Sequence, residues 1–92
     1  MLVPVARVED PATGRVMEVE STEACLQLYN AKFLGDAQLI GKCGRLYLPH
    51  DGLCFECHGY PDGVNHPAID DIVIHPPETY RQTTIYRFGT IP

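Results

Sequence analysis

The chemistry of this chain concentrates in one short stretch. Glu56 lies inside the apolar, strand-like run Leu53-Cys54-Phe55-Glu56-Cys57, and a charge among such neighbours is unfavourable unless something outside the strand uses it. A carboxylate so placed can serve as a general base, although taken alone the placement favours an outward-facing strand residue held by a nearby arginine. The same stretch, Cys54 to His58, spells C-x-x-C-H, the attachment sequence of c-type haem, in which two thiols form thioethers and the histidine is an axial ligand. Cys54 and Cys57 also have zinc-ligand spacing, and Cys43 with His50 or His58 could complete a set of four. A thiol activated by His58 is the remaining option for nucleophilic chemistry.

The elements that must position these residues read as strands. Short apolar or alternating runs separated by Pro, Gly and Asp recur throughout, and no window carries sustained helical spacing. Strands are expected at Val3 to Val8, Val16 to Glu20, Cys25 to Ala31, Gly52 to Tyr60, Ile72 to His75 and Tyr80 to Phe88. Asp10 to Gly14 and Pro61-Asp62-Gly63 have turn chemistry, Pro76-Pro77 stops the strand before it, and Gly35 to Gly44 reads as a surface loop. Alternation puts Cys54, Glu56, His58 and Tyr60 on one face and Leu53, Phe55 and Cys57 on the other. Likewise Cys25, Gln27 and Tyr29 share a face opposite Leu26 and Leu28, so both polar-bearing faces could line one groove.

This alternation weakens the metal and haem assignments. The two thiols point to opposite faces of a strand, no export signal accompanies the haem motif, and an all-β pattern does not suit the usual helical cytochromes. Cys25 and Cys43 stand alone, so zinc lacks its second ligand pair. Adjacent strand residues also point apart, which leaves a cysteine nucleophile without an orienting group. No metal and no cofactor is expected, and the four cysteines are expected to be free thiols.

The chain has 92 residues, 45% of them hydrophobic and 21% charged. This suits a single β-domain over residues 1–92, with roughly 60–65% of the unfolded surface buried. Twelve carboxylates against seven scattered Lys and Arg give a net charge of −5, which argues against nucleic acid. No apolar stretch approaches the length of a membrane span, so no membrane association and a cytoplasmic location are expected.

Beyond composition, the order of motifs resembles the C-terminal part of the aldose 1-epimerase (galactose mutarotase) family. Cys54-Phe55-Glu56-Cys57-His58 followed by Pro61-Asp62-Gly63-Val64-Asn65-His66-Pro67 is similar to that family's L-C-L-E-T-Q and P-D-x-x-N-x-P. Leu26 to Leu34, LQLYNAKFL, resembles L-Q-F-Y-T-G-N-F-L, and Pro76 to Gly89 resembles the closing P-G-E-x-Y-x-x-T-T-x-Y-x-F strand. ARVEDPATGRVMEV, Ala6 to Val19, looks like the strand, turn and strand that come before the substrate-binding region.

The resemblance implies an all-β fold, an antiparallel β-sandwich forming the C-terminal portion of the large mutarotase-like supersandwich. It also implies interconversion of the α and β anomers of an aldohexose sugar, with Glu56 at the general-base position and Gln27 at a sugar-contacting glutamine. His58, where the family often has Gln, could touch the substrate. The family's histidine acid and its supporting histidine, arginine and aspartate lie upstream of the region resembled. None of His50, His58, His66 or His75 inherits that role by position. Asn30, Ala31 and Lys32 stand where the family tends to show Thr, Gly and Asn. A homodimer, or a partner chain supplying the missing upstream half, is therefore expected. A non-catalytic β-domain binding carbohydrate or protein, or a truncated remnant, is the alternative.

Overall fold

The computed structural model describes all 92 residues, and it is built almost wholly from strands: β1 (Val3–Asp10), β2 (Arg15–Ser21), β3 (Cys25–Tyr29), β4 (Cys54–His58) and β5 (Thr84–Thr90). Helix is confined to short 3₁₀ turns at Lys42–Gly44 and Gly63–Asn65. The all-β, antiparallel expectation holds. β1 and β2 form a hairpin, and β5 runs antiparallel on the other side of β2, giving the order β1-β2-β5; β3 pairs with β4 in a separate two-stranded sheet.

The β1–β2 turn follows from its side chains. The Asp10 carboxylate accepts from the Ala12 amide at 3.1 Å and the Thr13 hydroxyl at 2.8 Å, while the Gly14 amide donates to the Asp10 carbonyl at 2.7 Å. Gly14 closes the turn at φ 75°, a conformation natural to glycine. These hydrogen bonds favour the ionised carboxyl and hold the Asp10 pKa below its ordinary value, the Thr13 hydroxyl contributing most.

The pairing register sorts the three-stranded sheet into two unlike faces. Val8, Met17 and Phe88 form one row and Ala6, Val19 and Tyr86 the next, all on one face. Val19 is fully buried, as is Ser21, whose hydroxyl lies 3.1 Å from that of Thr84 and accepts the Glu23 amide at 3.0 Å. The opposite face carries Arg7, Glu18, Glu20 and Arg87. There Arg7 pairs with Glu9 and Glu18, and Arg87 with Glu20. Exposed pairs of this kind contribute little stability, and Val16, buried at 7% exposure, shares this face.

The chain divides into two compact units, one of Met1–Leu26 with Cys57–Pro92 and the other of Gln27–Glu56. Buried apolar residues are few: Val16, Val19 and Ala31.

Four expected strands change, Gly52 to Tyr60 being shortened to Cys54–His58. Ile72 to His75 is not a strand: the Val73 amide bonds to the Asp71 carboxylate at 3.2 Å, and a turn follows in which the Glu78 amide donates to His75 at 2.8 Å. Three β-branched residues favour extension, but a strand also needs a neighbouring ladder. The last strand starts at Thr84 rather than Tyr80, because the Thr22 and Thr83 backbones bond at 3.0 Å and the ladder begins only beyond them. Strand β3 stops at Tyr29, since Ala31 sits at φ 58° and its carbonyl accepts from Leu34 at 3.1 Å and His50 at 2.9 Å.

Candidate functional site

Glu56 is the middle residue of β4, and the strand's alternation decides which way it faces. Cys54 and Glu56 are exposed, Phe55 and Cys57 half-buried. The apolar flanks thus turn inward in part while the carboxylate points to solvent. Leu53 does not join them: it is 52% exposed, because β4 begins one residue later. Arg7 and Arg87 are engaged by Glu9, Glu18 and Glu20.

Gln27 is the middle residue of β3, also exposed. Because β3 and β4 are hydrogen-bonded neighbours, Gln27 and Glu56 stand at the centres of adjacent strands, within one unit. Strict alternation fails in β3, where Leu28 is 58% exposed beside Gln27. His58 ends β4 and belongs to the other unit. It is half-buried, and its Nδ1 lies 2.5 Å from the Gly59 carbonyl. A carbonyl only accepts, so Nδ1 carries the proton, and in the neutral ring Nε2 keeps its lone pair.

The P-D-G-V-N-H-P segment that follows β4 serves to fold the loop. Asp62 adopts φ 60°, accepts from the Asn65 side chain at 2.6 Å and lies 3.2 Å from His66 Nε2. Gly63 is buried, and a Cβ there would come within 2.9 Å of Ile72 Cγ2, so only glycine fits. Tyr60 meets the His66 ring edge-on at 6.1 Å.

Within the unit containing Cys57–Pro92 lies a cavity of about 500 Å³, lined by Glu23, Tyr60, Asp70, Ile72, Tyr80 and Arg81 among others. The Asp70 carboxylate accepts the Tyr60 amide at 2.8 Å, and the Tyr80 hydroxyl donates to Glu23. That hydrogen bond holds the phenol proton and raises the Tyr80 pKa. Sequence patterning carries no signal for a pair separated by 57 residues. All four cysteines are unpaired, and no group of three or more His, Cys, Asp or Glu side chains converges to hold a metal. No helix is long and apolar enough to cross a membrane.

The framework is all-β, with Glu56 at the middle of β4 and Gln27 on the neighbouring strand. Residues 2–87 match the aldose 1-epimerase family, and the chain belongs to it. Among its relatives, the galactose mutarotases of Rattus norvegicus and Homo sapiens are 42% identical to it over 84 residues, and that of Bos taurus 41%. The matched segment is 91% of this chain but 24% of each relative, so the chain spans about a quarter of their length.

Proposed function

We propose that this chain carries the general-base portion of a mutarotase site acting on an aldohexose. The observation that supports this most is Glu56 itself: an exposed, mid-strand carboxylate within the segment matching the aldose 1-epimerase family. In the reaction, Glu56 removes the proton from the C1 hydroxyl while an acid protonates the ring oxygen. The C1–O bond of the ring breaks to give the open-chain aldehyde, rotation presents its other face, and reclosure returns both protons. Gln27, on the adjacent strand, is suited to hydrogen-bond sugar hydroxyls through its amide. His58 offers a further contact through Nε2.

The acid is supplied from outside these residues, by a second copy or by a chain corresponding to the upstream part of the relatives. A cytoplasmic setting and one folded β-domain over residues 1–92 belong to the same proposal. Without the acid, a contribution of about 10² to 10⁴ in rate is missing, and the positioning by remote sugar contacts is lost with it. Polarimetry of freshly dissolved α-glucose or α-galactose is the test. The isolated chain is expected to give at most trace acceleration over buffer, and robust turnover would overturn the incomplete-site argument. A non-catalytic carbohydrate-binding role is favoured by one observation, the cavity bearing Tyr60, Tyr80 and Asp70; saturable sugar binding lost on Tyr80→Ala but kept in Glu56→Gln would support it.

A further inference from the structure

The connection that joins the strand of Gln27 to the strand of Glu56 is tied across its two ends by one residue. On the approach to β4, Leu48-Pro49-His50-Asp51 is a tight turn: the Asp51 amide donates to the Leu48 carbonyl at 3.1 Å, and the Leu48 amide donates to the Asp51 carboxylate at 2.9 Å. His50, at the third position behind proline, adopts φ 68°. Glycine or asparagine ordinarily fills that place, because a larger side chain is strained there.

The histidine makes contacts that the turn itself does not need. Its amide donates to the Ala31 carbonyl at 2.9 Å, and its ring Nδ1 lies 3.0 Å from the Asn30 carbonyl. That oxygen only accepts, so Nδ1 carries the proton. Two successive carbonyls at the exit of β3 are thus bound by one residue. The seat is close-fitting: Ala31 is itself left-handed at φ 58° and buried, and a Cβ on Gly35 would come within 2.8 Å of the Tyr47 carbonyl. All of these residues belong to the unit Gln27–Glu56.

The sheet explains why such a tie matters. β3 and β4 form a two-stranded sheet, which is marginal by itself, and closing the connection between them is entropically unfavourable. Gln27 and Glu56 are both exposed on it, so burial does not fix their separation. We infer that His50 is a positioning residue of the candidate site: its ring N–H, bonded to Asn30, fixes the end of β3 against the approach to β4 and so holds Gln27 and Glu56 in register. The inference rests on the proposed function for the relevance of that register to a sugar; the tie itself is defined by hydrogen bonds.

The test compares His50→Asn with His50→Asp in the full chain. Both residues accept a left-handed backbone, so the turn is matched, but only asparagine offers a donor to the Asn30 carbonyl. Nitrogen-15 spectra of the wild type should place the hydrogen of the neutral His50 ring on Nδ1. Amides bonded between β3 and β4 should exchange near the wild-type rate in His50→Asn and about two- to tenfold faster in His50→Asp, the scale of one hydrogen bond lost, while the β1-β2-β5 sheet keeps its protection in both. D-Galactose titrated into the protein and read at the Gln27 side-chain amide should bind more weakly by a similar factor in His50→Asp, with His50→Asn restoring the affinity. Equal exchange in the two variants, a ring hydrogen on Nε2, faster exchange spread evenly over both sheets, or a galactose affinity indifferent to the pair would overturn the inference. Exchange that separates the variants while galactose leaves Gln27 unmoved even in the wild type would support the tie and overturn the sugar reading instead.

Discussion

Val19→Ala and Phe88→Thr on the same face of the same sheet should differ sharply in their effect on stability. Val19 is fully buried in the central strand, between Ala6 and Tyr86. Truncation to alanine removes two buried carbons, worth about 1.6 kcal/mol at about 0.8 kcal/mol each, and a residual cavity raises the loss to about 2–3 kcal/mol. A domain of this size has roughly 5–14 kcal/mol in total, and with Val16, Val19 and Ala31 as its buried apolar residues the low end applies. At about 4–8 °C per kcal/mol, the midpoint of thermal unfolding should drop by about 8–24 °C. Phe88 is 79% exposed, and threonine keeps the strand preference, so Phe88→Thr should stay within about 0.5 kcal/mol. Circular dichroism melts under reducing conditions provide the assay. Equal losses for the two variants would refute the claim that Phe88 is outside the core.

Three further outcomes are expected. The Asp10 carboxyl has a lowered folded-state pKa, so its stabilisation is present above the unfolded value and lost as pH falls through the folded one; the stability difference between wild type and Asp10→Ala should shrink on acidification below about pH 4, and a difference that grew there would contradict the assignment. Tyr80 has a raised pKa through Glu23, so its contribution is intact below about pH 10 and lost as pH rises through the folded value; ultraviolet titration should place its ionisation above that of an ordinary phenol and return it toward normal in Glu23→Gln, and an unmoved transition would exclude the hydrogen bond. Thiol titration of the denatured, unreduced protein should find four reactive cysteines, matching the four unpaired ones, and dialysed protein should hold less than one zinc per chain and show no Soret band. One zinc surviving dialysis would restore the ligand reading of Cys54 and Cys57.

Strands β1 and β2 were legible because turn chemistry and apolar alternation agree there, from the Asp10 carboxylate to Gly14. Ile72 to Ile74 misleads for the converse reason: local β preference is strong, but strand formation is decided by a partner that the local sequence does not specify. The outward placement of Glu56 followed from period-2 alternation within β4, which holds from Cys54 to Cys57. It fails beyond, where His58 and Tyr60 are both half-buried as the chain turns at Gly59. Ala31 illustrates what a motif alone conceals. It occupies a left-handed position at φ 58°, a conformation natural to glycine, and it is buried at 4% exposure. The Tyr80–Glu23 pair and its cavity had no sequence signal, since they depend on how distant segments meet.

The central claim is that Glu56 is the base. Polarimetry at high protein concentration, following the α-to-β relaxation of a freshly dissolved aldohexose, compares wild type with Glu56→Gln, which preserves shape and removes the basic oxygen. Whatever acceleration the wild type shows over buffer should vanish in the variant. Equal acceleration in both proteins would remove Glu56 from the mechanism.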